Sequence, residues 1–165
     1  MEYLISEMTA ADWPQVVKIY EQGIAGGQAT FETEAPTWER WDAGHRRDCR
    51  LVARAGDRVL GWAALSPVSS RPAYAGVAEV SVYVGADEQG RGIGRALLGA
   101  LIERSEELGV WTLQAAIFPE NQASVTLHER SGFRVVGRRE RVARLREVWR
   151  DTVILERRSR VAGVD

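Results

Sequence analysis

Cysteine is nearly absent from this sequence. Cys49 stands alone among 165 residues, so no intrachain disulfide can form, and a reducing, cytoplasmic setting is expected. The neighbouring Arg47, Asp48 and Arg50 form no nucleophile motif, and the thiol is read as a structural one. An excess of either charge is also missing. The 22 basic and 23 acidic side chains leave a formal net charge of -1, which argues against nucleic acid and against an anionic membrane as partners. No apolar run approaches the roughly 18 to 20 residues that span a bilayer, and the first residues lack the basic and apolar regions of a signal peptide.

What is present suits an α/β unit. Hydrophobic residues make up 45% of the chain and charged residues 27%, enough apolar material for a core. No linker or repeat divides it, so 1–165 is read as one domain, with its core over about 3–156 and a short tail. A strand is expected at 3–7. Thr9 then caps a helix carrying Val16, Val17, Ile19 and Tyr20 on one face and closed by Gly23, Gly26 and Gly27. Residues 26–36 form a loop or short extended piece, and Thr37 opens a second helix. Strands at 50–55 and 58–66 are joined by the Gly56-Asp57 hairpin signal. A loop over 67–76 leads to a strand at 77–84. Ile93, Leu97, Leu98, Leu101 and Ile102 recur at helical spacing before Gly109. A strand at 111–118, a helix at 121–130 closed by Gly132, and strands at 133–138 and 149–155 complete the order.

Between the strand at 77–84 and the helix that begins near Gly92 lies Gln89-Gly90-Arg91-Gly92-Ile93-Gly94. A helix start leaves backbone N–H groups without intrahelical partners, and glycines let them converge on one point, a seat for phosphate. A P-loop would end in Gly-Lys-Ser/Thr, which is absent. A dinucleotide fold would place the turn after its first strand, and here several strands precede it. An acyl-CoA site or a turn that merely needs small residues both remain open at this point.

The same turn is followed by Asn121, Ser124, Leu127-His128-Glu129 and Gly132-Phe133 on the next helix–strand unit. Together these segments resemble the Gcn5-related N-acetyltransferase family. Thr30-Phe31-Glu32-Thr33-Glu34, Arg71-Pro72-Ala73-Tyr74, the strand at 77–84 and Ser124-Val125-Thr126-Leu127-His128-Glu129 are similar to its phosphinothricin and methionine sulfoximine/sulfone acetyltransferase subgroup. The resemblance implies a mixed, mostly antiparallel sheet of about six to seven strands flanked by helices. It also implies acetyl-CoA as cosubstrate, no metal, a small-molecule amine as partner, and a homodimer. Gln89, Gly90, Arg91, Gly92, Ile93, Gly94 and Arg95 would seat the pyrophosphate, with Asn121 and Ser124 also on the cofactor side. For Arg91 and Arg95, ordinary solvated helix-start roles stay open. Val82, Tyr83 and Val84 would meet the pantetheine arm through their main chain, their side chains staying in the core, where a bulge or an early strand end opens the sheet.

Acetyl transfer to an ammonium needs a base, because the protonated amine has no lone pair with which to attack a thioester. Glu79 matches the family's catalytic glutamate. Strand alternation puts it on one face with Ser81 and Tyr83. His128 stands where many relatives carry the tyrosine that protonates the departing thiolate; it is either that acid or a core histidine. Phe31, Thr33, Arg71, Tyr74, Glu79 and Ser81 would bind the acceptor, Arg71 by gripping its carboxylate. Trp38, Trp41 and Trp62 are expected in the core, and His45 carries no functional claim. Near the C-terminus the chain departs from the family's Gly-x-Lys-His/Phe-Gly-x-Trp-x-Asp segment. It keeps Trp149 and Asp151 but loses both glycines, and Arg138, Arg139, Arg141, Arg144 and Arg146 form either a solvated face or one that favours an anionic acceptor. The reading is acetylation of the α-amine of a small amino acid or analogue by direct transfer in a ternary complex. Acetylation of another amine (polyamine, aminoglycoside or protein N-terminus) and an acyl-CoA-binding module without catalysis are the alternatives.

Overall fold

The computed structural model describes residues 2–165. Its strands are β1 (Leu4–Glu7), β2 (Arg50–Ala55), β3 (Arg58–Pro67), β4 (Val77–Val84), β5 (Thr112–Ile117), β6 (Arg134–Leu145) and β7 (Val148–Arg158). Its helices are α1 (Trp13–Gly26), α2 (Trp38–Gly44), α3 (Ile93–Glu107) and α4 (Gln122–Arg130). The strands form one seven-stranded sheet in the order β1-β2-β3-β4-β5-β7-β6. Every pairing is antiparallel except β4 with β5. The mixed, mostly antiparallel sheet flanked by helices is therefore as expected.

Two apolar layers sandwich the sheet. Leu97, Leu98 and Leu101 of α3 are fully buried against Ala63, Leu65, Ala78 and Val80, each leucine contributing roughly 1.5–3 kcal/mol. On the other face Val16 and Ile19 of α1 and Trp41 of α2 pack on Val52, Trp62 and Ala64. Trp41 and Trp62 are buried as expected, and Trp38 packs partly buried against them. Cys49 is a buried thiol, pushed up to about 12 by burial.

The start of α1 differs in detail from the simple helix start expected at Thr9. A 3-10 turn over Ala10–Asp12 comes first, held by the Thr9 N–H donating to Asp12 Oδ2 at 2.9 Å, while Asp12 also receives Arg54 Nη2 at 3.0 Å. Asp12 thus ties the helix start to β2. Gly27, at φ 72°, ends α1.

The larger difference is at the C-terminus, where β6 and β7 form a hairpin much longer than the strands expected at 133–138 and 149–155. Residues 139–148 show no apolar alternation, because β6 is the sheet edge and is exposed on both faces. Pairing with β7, not burial, makes it a strand. Its register shifts between Arg139 and Ala143, where Asp151 accepts the Arg141 N–H at 2.7 Å and pairs with Arg138 at 2.6 Å. Those bonds hold the Asp151 carboxyl below its ordinary range, the Arg141 N–H being the larger cause. Arg141 and Arg144 lie over the Trp149 ring at 5.6 and 4.7 Å. The arginine cluster is thereby largely a surface fastened by Trp149 and Asp151, the two residues kept from the family segment.

Candidate active site

Strands β4 and β5 are in register only over Val77↔Thr112, Ala78↔Leu113 and Glu79↔Gln114. Beyond Glu79 they part. On its other side β4 stays paired with β3 to its end at Val84, and β5 stays paired with β7 along its whole length. The opening is a divergence of two strands, each loyal to its outer neighbour. Of the two openings expected from sequence, a bulge or an early strand end, the bulge is not found here, since the register shifts of the sheet fall in β2–β3 and β6–β7, while the β4–β5 ladder ends early, at Glu79. The inner edge of β4 from Val80 to Val84 therefore offers main-chain groups that β5 does not take up.

Glu79 stands at the base of this fork. A cleft of ≈ 260 Å³ fills the fork, lined by Glu79, Val80, Ser81, Val82 and Tyr83 of β4, Ala115, Ala116 and Ile117 of β5, Phe118, and Asn121, Ser124 and His128 of the following segment. The segment 28–31 and Thr152 of β7 close it. Of the expected site residues, Phe31, Glu79, Ser81, Val82, Tyr83, Asn121, Ser124 and His128 are brought together here. Thr33, Arg71 and Tyr74 do not line the cleft. Arg71 is in the exposed loop between β3 and β4, its guanidinium 5.7 Å over the Tyr74 ring on a short 3-10 turn.

The glycine turn expected to seat phosphate lies beyond the far end of β4. Gly90 and Gly92 have φ of 79° and 78°, and an added Cβ at either would meet nothing within 4 Å. Glycine is there for its left-handed backbone alone. A Cβ on Gly94 would make only ordinary contacts, 3.4 Å from Leu127 Cδ2 and 3.6 Å from Val84 Cγ2, so neither space nor backbone conformation demands glycine there. Gly92 caps α3, and the first N–H groups of that helix, those of Ile93, Gly94 and Arg95, have no partner inside it. The side chain of Ile93 is in the core, so it can offer a ligand only its N–H. Gln89 Nε2 donates to Val84 O at 3.1 Å, and Arg91 Nη1 donates to Glu88 Oε2 at 2.9 Å. Glu88 is buried and also paired with Arg58. Arg91 is thus drawn onto Glu88, while Arg95 is exposed.

Asn121 is engaged within the protein at both side-chain polar atoms. Its Oδ1 accepts the Ser124 N–H at 3.3 Å, capping α4, and its Nδ2 donates to Gln28 O at 3.1 Å. Tyr83 does more than present main chain. Its ring lines the cleft, stacks on Trp62 at 4.8 Å and meets Tyr20 at 5.0 Å. Burial first, then the Tyr20 phenol, raises its hydroxyl above the ordinary value, with Thr30 opposing.

His128 is buried on α4, its ring edge-on to Phe133 at 5.1 Å. Its Nδ1 lies 2.7 Å from Ser124 O. A carbonyl only accepts, so Nδ1 carries the proton and Nε2 keeps the lone pair of the neutral ring. Burial holds the imidazole below its ordinary pKa, partly opposed by that carbonyl. At neutral pH this histidine is an acceptor at Nε2.

Several cleft residues were not assigned to the site from the sequence: Gln28, Phe118 and Thr152 carry no signal there, and Thr30 stands only as the first residue of the segment that holds Phe31. Segment 28–31 lacks periodicity, and Thr152 reaches the site only because β7 lies beside β5. Phe31 packs edge-on against Phe118 at 4.8 Å, which seats the segment.

A forked parallel pair with a carboxylate at its base and a glycine-rich helix start at its open end is an arrangement with known counterparts. The model of the acetyltransferase (GNAT) family matches residues 11–133. The chain belongs to the GNAT acetyltransferase family. An L-methionine sulfoximine/L-methionine sulfone acetyltransferase of Pseudomonas paraeruginosa is 32% identical over 162 residues, 94% of either chain. Among solved structures, a GNAT superfamily phosphinothricin acetyltransferase from Sinorhizobium meliloti in complex with AcCoA superposes with a TM-score of 0.88 at 27% identity, covering 100% of this chain and 92% of that one. A ribosomal-protein-alanine N-acetyltransferase from Brucella melitensis gives a TM-score of 0.88 at 32% identity, over 94% and 99% of the two chains. The chain is accordingly an N-acetyltransferase.

Proposed function

We propose that this acetyltransferase uses acetyl-CoA to acetylate the α-amine of a small amino acid or amino-acid analogue, of the methionine sulfoximine/sulfone or phosphinothricin type, by direct transfer in a ternary complex. The observation that carries it is the fork: Glu79 on the last shared rung of β4 and β5, the unpaired edge of β4 beyond it, and the glycine turn at its end. The residues fit a long phosphorylated thioester. The pyrophosphate suits the N–H groups of Gly90, Gly92, Ile93 and Gly94 at the positive end of α3, and the free edge of β4 suits an amide-bearing arm. We read residues 1–165 as one such domain.

In this reading Glu79 takes a proton from the acceptor ammonium, directly or through a water, and the freed lone pair attacks the thioester carbonyl. A backbone N–H of β4 holds the carbonyl oxygen as charge builds on it. The thiolate that leaves requires a proton. Neutral His128 can supply one only after receiving it at Nε2 from the amine, which makes it a relay and not a standing acid. A polyamine or aminoglycoside acceptor is disfavoured because Glu79 is the single carboxylate lining the cleft among the described residues. A homodimer is supported by exposed Val135, Val136, Val148 and Trp149 on the β6–β7 hairpin, in and beside the edge strand. The lone buried thiol suits a reducing cytoplasm.

The test is Glu79→Gln, which keeps shape and removes the base. Turnover of methionine sulfone should fall about 10²- to 10⁴-fold, with the acetyl-CoA KM within about threefold. An unchanged kcat would end the base assignment. Turnover of a peptide N-terminus but of no free amino acid would move the acceptor to proteins.

A further inference from the structure

A zwitterionic acceptor brings a carboxylate into the cleft along with its amine. Among the described residues lining that cleft the charged one is Glu79, itself an anion, and a carboxylate desolvated beside it needs a cation. Arg71 points to solvent over Tyr74. The cation directly behind the cleft lining is Arg150, on β7 two residues before Thr152 and on the same face, in contact with the lining residues Gln28 and Phe118. Its side chain is only 13% exposed, and its guanidinium lies 4.0 Å over Phe118, a cleft residue. Nη1 donates to Gly27 O at 3.1 Å and Nη2 to Gln28 Oε1 at 2.7 Å. Nη2 also donates to Glu120 Oε2 at 3.4 Å, an ion pair whose carboxylate side chain is 54% exposed.

We propose that Arg150 is the specificity-determining residue that reads the acceptor's carboxylate. This deepens the amino-acid reading above and rests on it. The charge lies largely buried behind the lining; its two shorter hydrogen bonds are to neutral carbonyls, and its longer one is to the exposed Glu120 carboxylate. A carboxylate arriving through the cleft displaces the Gln28 amide oxygen and gains a charge-assisted fork that an amide cannot match. Gln28 is free to yield because Arg150 is what holds its side chain, while its backbone stays fastened by Asn121 Nδ2.

Initial rates are measured for methionine sulfone and for its carboxamide, which keeps the amine and loses the anion, using the full-length wild type, Arg150→Gln and Arg150→Lys. Arg150→Gln should lower kcat/KM for the acid by about 30-fold or more and for the carboxamide by less than about threefold. The acetyl-CoA KM should stay within about threefold, and Arg150→Lys should fall between. Equal losses on acid and carboxamide would reduce Arg150 to a strap on residues 27–28 and overturn the assignment, as would no loss at all. Calorimetric titration of both compounds into the CoA-loaded protein separates the two readings. If the wild type acetylates neither compound but binds the acid more tightly, and Arg150→Gln abolishes that preference, Arg150 stands and amino-acid acetylation falls. If acid and carboxamide bind alike to the wild type, Arg150 falls. Lysine, which keeps the wall charged, guards against a glutamine variant that folds poorly.

Discussion

Replacing Gly92 by alanine separates backbone conformation from space at the glycine turn, the proposed seat of the pyrophosphate. Gly92 sits at φ 78° with nothing within 4 Å of where a Cβ would stand, so alanine there clashes with nothing and costs only the left-handed strain of an L residue, about 1–2 kcal/mol. For a chain of this size that lowers Tm by about 2–8 °C. The chain has one escape, to relax φ and swing the N–H groups at the start of α3 off their common target. Losing one charge-assisted hydrogen bond weakens acetyl-CoA binding by about 10- to 100-fold. Gly94→Ala is the matched control, since its φ is ordinary and its Cβ would make contacts of 3.4 and 3.6 Å. Helix propensity there favours alanine by up to about 1 kcal/mol. Rates followed by free-thiol release, with melts by circular dichroism, should show Gly92→Ala losing both Tm and affinity for acetyl-CoA. Its kcat at saturation should stay within about threefold, Gly92→Asn should be milder, and Gly94→Ala should keep its Tm. If Gly94→Ala is as unstable as Gly92→Ala, or Gly92→Ala changes neither quantity, the conformational account of the turn is wrong.

Gly76→Ala should destabilise by about 3 kcal/mol or more, because its Cβ would overlap the Trp111 ring at 2.0 Å and strand β4 begins at the next residue; urea unfolding checks it. His128 and His45 are both held below the ordinary value of 6.5, chiefly by burial, so below 6.5 the unfolded chain binds more protons than the native one. Stability should therefore rise with pH from their lowered folded values up to about 6.5 and then level off, and His128→Gln should flatten part of that slope in denaturant titrations. Cys49, pushed up to about 12 and buried, should react with a thiol reagent only after denaturation; rapid labelling of native protein would contradict that.

The strand bearing Glu79 was legible because alternation at 77–84 is a local pattern, and α3 because its leucines repeat at helical spacing up to Gly109. Cys49, Trp41 and Trp62 were legible as core from residue type. The hairpin beyond residue 138 was not. Its arginines carry no burial pattern, its two-residue turn holds Arg146 and Glu147 at φ 47° and 71° where asparagine or glycine would have announced it, and β6 is a strand because β7 pairs with it. Of the residues assigned to the site, those on β4 and α4 meet in the cleft. Arg71 does not, because the turn at Pro72–Tyr74 directs it over a neighbouring ring.

Steric rules within a few residues of each other were enough to specify the glycines with positive φ, the free N–H groups at the start of α3, and the shared face of Glu79, Ser81 and Tyr83. These depend on covalent geometry, which the sequence carries at each position. The fork itself was decided only in the folded chain. It opens because β4 holds to β3 while β5 holds to β7, a competition among strands far apart in sequence. Its far wall likewise comes from distant residues, with Asn121 reaching Gln28 and Arg150 reaching Gly27 across 93 and 123 positions. The donor side of the reaction is written in local geometry, and the acceptor side in contacts that exist only once the sheet has formed.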